Sequence, residues 1–211
     1  MSMERRNKGV FPPVRDLVDA GWFLHAERLI SPSLDEIVTK SNGLGIKRPI
    51  GYPQETLKRL SEGLLLDVGC GSNFGFGSTF IDVLPNAYGI DPMLTFPYKF
   101  PITGEIPKDR VVGGFAEDMP FHDNTFRTTV SLKCVGWYPN VTVNPYWAIS
   151  EMIRVTENGG LVTIHIGQRE ENGQIILDAA EEVMRGPFGD KIAVIKDFTS
   201  AQMPQVSIRL N

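Results

Sequence analysis

The chain has 211 residues, 42% apolar and 22% charged, enough for one sizeable core in an ordinary globular protein. With 21 Lys and Arg against 25 Asp and Glu the net charge is −4, which gives no global electrostatic reason to expect nucleic acid or an anionic membrane. Two cysteines and three scattered histidines exclude a disulfide scaffold and a Cys-rich zinc site.

No apolar run reaches the roughly 18 residues of a membrane-spanning helix. The basic start, with Arg5, Arg6 and Lys8, lacks the hydrophobic stretch of a secretory leader. The expectation is a cytoplasmic, metal-free α/β protein.

Residues 1–62 read as a helical leader and 63–211 as the main domain. Within the leader, Leu17, Ala20, Gly21 and Leu24 suggest a helix over 14–30. Ser31-Pro32 supplies an N-cap and a first-turn proline for a second short helix through Thr39. A third is expected over 53–62.

After Gly63 strands and helices alternate. Leu64 to Val68 is a short apolar run that ends in a Gly-rich turn, as a buried parallel strand should. A brief helix over 78–84 leads to a second strand over 87–90. Strands three and four are expected over 110–113 and 128–134. A helix over 146–155 places Ile149, Met152 and Ile153 on one face. The turn Asn158-Gly159-Gly160 then precedes strand five, 161–166. Ile175, Ile176, Ala179, Ala180, Val183 and Met184 recur at helical spacing over 174–184. Strands over 191–198 and 205–210 close the chain as a hairpin.

This alternation predicts a doubly wound, Rossmann-like sheet with helices on both faces. Such sheets bind ligands beyond the carboxyl ends of their strands. The segments 67–77, 91–94, 115–118 and 133–137 therefore carry the candidate site.

The first of these reads Asp67-Val68-Gly69-Cys70-Gly71-Ser72-Asn73-Phe74-Gly75. Gly69 and Gly71 allow a sharp strand-to-helix bend and close approach of a ligand, although a tight turn with no ligand has the same glycines. Asp91 ends the next strand, placed to accept hydrogen bonds from both hydroxyls of a ribose. A dinucleotide would bring phosphates that Asp67 repels, and Phe74 stands where its fingerprint needs glycine. A cationic, phosphate-free nucleoside suits the same carboxylate.

These residues resemble the class I S-adenosylmethionine-dependent methyltransferases, particularly the small type that includes quinone-biosynthesis enzymes. Leu65-Leu66-Asp67-Val68-Gly69-Cys70-Gly71-Ser72 resembles the family's first motif and Tyr88-Gly89-Ile90-Asp91-Pro92-Met93-Leu94 its second. Gly114-Phe115-Ala116-Glu117-Asp118-Met119-Pro120-Phe121 is similar to the stretch bordering the adenine. Glu151 to Val155, with Gly159-Gly160, is similar to the helix and turn before strand five.

The resemblance implies strand order 3-2-1-4-5-7-6, with the last strand antiparallel. It implies S-adenosyl-L-methionine as cofactor, held by Asp67, Gly69, Cys70, Gly71, Asp91, Pro92, Ala116, Glu117 and Lys133. It also implies methyl transfer to a small-molecule acceptor, with no catalytic base identified.

Departures from the pattern motivate an alternative, a binder that transfers nothing. Asn73 replaces a glycine, Phe115 replaces an acid that commonly reaches the adenine, and Arg127 stands where the family has another residue. Pro97, Pro101, Gly104 and Pro107 disfavour a helix over 95–109, where an aromatic loop is expected instead. Cys70 and Cys134 end neighbouring strands and read as ordinary thiols rather than a redox pair. His122 is a base candidate or loop surface, and His165 a packed strand residue. His25 and Trp22 pack on the leader or cover the acceptor site. Trp137, Tyr138, Tyr146 and Trp147 form either an aromatic acceptor wall or core.

Overall fold

The computed structural model describes residues 60–71, 80–95, 109–136, 143–166, 170–197 and 205–211. The leader helices, Asn73, Phe74, the proline-rich 96–108 stretch and the aromatics Trp137 and Tyr138 lie outside the described residues.

Seven strands form one sheet: β1 (Leu65–Val68), β2 (Ala87–Ile90), β3 (Val111–Val112), β4 (Phe126–Gly136), β5 (Thr156–Ile166), β6 (Ile192–Asp197) and β7 (Gln205–Leu210). Their spatial order is β3-β2-β1-β4-β5-β7-β6, as expected. The pairs β1–β2, β1–β4, β2–β3 and β4–β5 are parallel, and β7 runs antiparallel to both its neighbours.

β1 is an interior strand between β2 and β4 with all four residues buried, which is why it reads as a short, mostly apolar run. Its side chains alternate between two cores. Leu66 and Val68 face the side covered by helix α2 (Pro145–Val155) and helix α3 (Glu170–Arg185), with Ile149, Met152, Ile153, Ile176, Ala180 and Val183. Leu65 faces the other side, with Phe80 and Ile81 of the short helix α1 (Phe80–Val83). Asp67 shares Leu65's face by the same two-residue period.

The turn chemistry follows from local residues. Asn144 caps α2 by accepting the Trp147 N–H at 3.3 Å, and Pro145 takes the first helical position, where no N–H is needed. The Arg110 guanidinium donates to the carbonyls of Ile81 (2.9 Å) and Leu84 (3.2 Å), satisfying the end of α1.

Two strands differ from the expected bounds by more than one residue. β5 begins at Thr156 rather than 161, because Thr156 already pairs with Phe126 ahead of the glycine turn. The turn becomes a bulge inside the strand, with Gly159 at φ +73° and its N–H donated to the Asn211 carbonyl at 2.7 Å. β4 extends to Gly136 through a second irregularity. It takes five residue steps from Ser131 to Gly136 while β5 takes two from Ile164 to Ile166. The Ser131 hydroxyl accepts the Val135 N–H at 3.0 Å across this excursion.

Candidate functional site

The glycine bend follows β1. Gly69 (φ +78°) and Gly71 (φ +75°) both lie in the left-handed region that favours glycine. A Cβ on Gly69 would sit 2.3 Å from Cys134 Cβ and 2.7 Å from its Sγ, so no larger residue fits. The β4 excursion explains this contact, because it brings Cys134 back against the bend. Bulges are common beside binding sites for this reason.

Three of the bend's N–H groups are already used. Those of Gly69 (2.8 Å) and Cys70 (3.3 Å) donate to the Ile90 carbonyl, tying the bend to β2. That of Gly71 donates to Asp91 Oδ2 at 2.9 Å. Cys70 therefore lines the bend by packing, with its buried thiol directed at the Gly71 carbonyl. Both cysteines are free, and burial pushes both thiols well above their ordinary range. Neither is a ready thiolate.

The two acids sit side by side at the ends of β1 and β2, each only 2% exposed. Asp67 Oδ2 accepts the Phe80 N–H at 3.4 Å, while Oδ1 is buried with no hydrogen-bond partner among the described residues. Burial pushes the Asp67 carboxyl up to about 7, the Phe80 N–H opposes this, and the nearby Asp91 and Asp82 add to it. Native proteins rarely leave a buried carboxylate oxygen without a partner. Pro92 opens a 3₁₀ turn, Pro92–Thr95, that the Leu94 N–H closes on the Asp91 carbonyl at 3.2 Å.

The segment after β3 comes alongside Asp91, with the Gly114 N–H donating to the Asp91 carbonyl at 3.4 Å. Ala116 is buried there, and Phe115 is 37% exposed. The half-buried Glu117 is committed elsewhere, because its Oε1 accepts the Asn144 N–H at 2.9 Å at the start of α2. Burial raises its carboxyl above the usual range against the pull of that bond. Lys133 lies within the β4 excursion.

The fold thus brings Asp67, Gly69, Cys70, Gly71, Asp91 and Pro92 to one end of the sheet, with Gly114 bonded to Asp91 and Ala116 two residues further on. Glu117 links this end to α2. His122 is exposed, its carbonyl accepting the Thr125 hydroxyl at 2.7 Å, a loop-surface position. His165 is buried within β5, and desolvation pushes its pKa down to about 4. Tyr146 and Trp147 stack edge to face at 5.0 Å on the first turn of α2.

Sequence reasoning placed Glu151 and Arg154 only within a motif, and their geometry gives them a structural task. Glu151 Oε2 accepts the Met119 N–H at 2.8 Å, while Arg154 donates to the carbonyls of Met119 (2.9 Å) and Phe121 (2.8 Å). An acid and an arginine three apart on a helix preceding a glycine turn were the available signal.

Residues 66–164 match the family model of the methyltransferase domain. Among solved structures, a SAM-dependent methyltransferase from Thermotoga maritima, described as a possible histamine N-methyltransferase, is 18% identical. That match covers 92% of this chain and 96% of the other, with a TM-score of 0.46. A SAM-dependent methyltransferase from Aquifex aeolicus is 17% identical over 84% of this chain and 97% of its own, with a TM-score of 0.46. Geranyl diphosphate C-methyltransferase from Streptomyces coelicolor A3(2), solved with Mg2+, geranyl diphosphate and S-adenosyl-L-homocysteine, is 13% identical. It covers 86% of this chain and 98% of its own, with a TM-score of 0.42. No curated protein matches the chain by sequence.

Proposed function

On the premise that residues 66–164 are a class I methyltransferase domain, we propose that the protein binds S-adenosyl-L-methionine at the glycine bend and methylates a small-molecule acceptor. One observation carries this reading: a carboxylate oxygen, Asp67 Oδ1, buried beside a glycine bend and a second acid, with no partner among the described residues. An ammonium or sulfonium group satisfies that oxygen, whereas a phosphate would be repelled by both acids.

The residues present fit the cofactor. Asp67 holds its cationic methionine end, and Gly69, Cys70 and Gly71 shape the bend around it. Asp91 keeps Oδ2 on the Gly71 N–H, and a carboxylate has lone pairs enough to accept ribose hydroxyls as well. Pro92, Ala116 and the backbone of Glu117 complete the ribose and base side, and Lys133, on β4, borders the bend from its other side. Bound there, the cofactor supplies an electrophilic methyl group on a sulfonium, which leaves without protonation, for in-line displacement by the acceptor.

The chain's contribution is then alignment and exclusion of water, and orientation alone accounts for roughly 7–11 kcal/mol in well-held reactions. No base is assigned, since one is needed only when the acceptor must lose a proton. Among the described residues no helix is long and apolar enough to cross a membrane. A cytoplasmic location remains part of the proposal, as do residues 63–211 forming the catalytic domain and 1–62 a cap over it.

Titration calorimetry with S-adenosylhomocysteine, followed by transfer of labelled methyl groups to a metabolite panel, tests this reading. Binding together with label in a small molecule is the expected result. Absence of binding would overturn it, and tight binding without transfer to any acceptor would leave only the cofactor-holding half.

A further inference from the structure

Resting on that reading of the site, we propose that Arg154 is a positioning residue for the base-side segment 115–121. It sits in the last turn of α2 with its side chain 21% exposed, and all its guanidinium N–H groups find acceptors. Nε donates to Glu151 Oε1 at 2.9 Å and Nη2 to Glu151 Oε2 at 2.8 Å, so the two side chains form a planar, two-pronged pair. Nη2 also reaches the Met119 carbonyl (2.9 Å), and Nη1 reaches the Phe121 carbonyl (2.8 Å) and Asp123 Oδ1 (2.7 Å).

The same Glu151 carboxylate takes the Met119 N–H. Both backbone polar groups of Met119 are therefore fixed by one ion pair on a buried helix. Upstream, Glu117 is fixed by the Asn144 N–H at the opposite end of that helix.

This arrangement splints the segment along the length of α2. The segment 115–121 has little regular structure of its own, an isolated bridge between Phe115 and Asp118. Its upstream end is tied to Asp91 by the Gly114 N–H, and the backbone that follows must hold its place for a nucleoside to touch both Ala116 and Asp91. A segment left loose would have to be ordered on binding, and that ordering would appear as lost affinity. The pair with the exposed Asp123 adds little, because its carboxylate is solvated. The backbone bonds are the working part. Lysine cannot reproduce them, since one ammonium cannot span both carbonyls and the carboxylate in the plane of a fork.

The test uses the full chain with Arg154→Met and Arg154→Lys. Ile208→Ala, buried in β7 away from the site, controls for lost stability. Two quantities are read at a temperature where each variant is folded: affinity for S-adenosylhomocysteine, and hydrogen exchange of the 115–121 amides. Arg154→Met is expected to lose at least tenfold in affinity and to speed exchange in that segment at least tenfold. Arg154→Lys should fall between it and wild type, and Ile208→Ala should bind within twofold of wild type.

Folded Arg154→Met that binds within twofold of wild type overturns the proposal, as does a loss that Ile208→Ala matches. Should Arg154→Met not fold, Arg154→Lys decides by the same thresholds. Wild type that fails to bind sinks the reading of the site instead. Exchange then judges the splint alone, and unchanged rates in the variants overturn it too.

Discussion

Two polar groups taken out of water meet opposite fates in this fold. Arg154, on α2, has an acceptor for every donor and ties a loop to a helix. Asp67, at the end of β1, is more deeply buried and has one oxygen with no partner among the described residues. Both cost desolvation, and among the described residues only the first recovers it in full. A satisfied buried charge is architecture. An unsatisfied one at the carboxyl end of a parallel strand is a place kept for something else.

The sharpest way to break the contrast is to fill the bend. Gly69→Ala adds a Cβ against Cys134 at a backbone angle that alanine resists. It is expected to destabilise by on the order of 3–5 kcal/mol. Denaturant unfolding measures this, and a loss below about 1 kcal/mol would mean that the bend is looser than described.

Next in size is the dependence of stability on pH. Desolvation raises the folded Asp67 pKa from 3.8 to about 7, so the folded state holds the proton more tightly. Its contribution is greatest below pH 4 and is lost as pH rises through 7. His165 has the opposite sign, its pKa lowered from 6.5 to about 4 by burial. Its neutral form supports the fold fully above pH 6.5, and that support is lost as pH falls towards 4. At about 1.4 kcal/mol per pKa unit each effect is roughly 3–5 kcal/mol, and they oppose one another between pH 4 and 6.5. Wild type should therefore be nearly flat in that window. Asp67→Asn should weaken towards acid, and His165→Asn should strengthen. Above pH 7, Asp67→Asn should exceed wild type in Tm by at least about 2–4 °C, the trace of roughly 1 kcal/mol in a chain of this size. Parallel profiles for the three proteins would contradict both assignments.

Smaller again is the ribose contact. Asp91→Ala is expected to weaken S-adenosylhomocysteine binding by about 1.5–3 kcal/mol, the range for hydrogen bonds to a charged group. Calorimetry reads it directly, and unchanged affinity would remove Asp91 from the site.

Much of this architecture was legible in the residues. Short apolar runs ending in Asp67 and Asp91 marked β1 and β2, because a parallel strand buried on both faces has no polar alternation to obscure it. The apolar face of Ile149, Met152 and Ile153 marked α2, which starts one residue before the expected position, at the Asn144 cap and Pro145. Contacts made at long range escaped. The β4 excursion that presses Cys134 on Gly69 has no local signature, since it shows only as a shift of register against β5. The glycine turn at 158–160 suggested a strand beginning after it, whereas pairing of Thr156 with Phe126 starts β5 before it. Arg154 reads as an ordinary helix-end cation until the loop more than 30 residues earlier folds onto it.

The most direct test of the orphaned Asp67 oxygen is titration of S-adenosylhomocysteine at pH 6, 7 and 8 in buffers of differing ionisation enthalpy. A carboxyl that titrates near 7 when empty must give up its proton to receive an ammonium group. Affinity should rise about tenfold from pH 6 to pH 8 with net proton release, and the rise should vanish in Asp67→Asn. Affinity independent of pH, with no proton released in any buffer, would contradict the account.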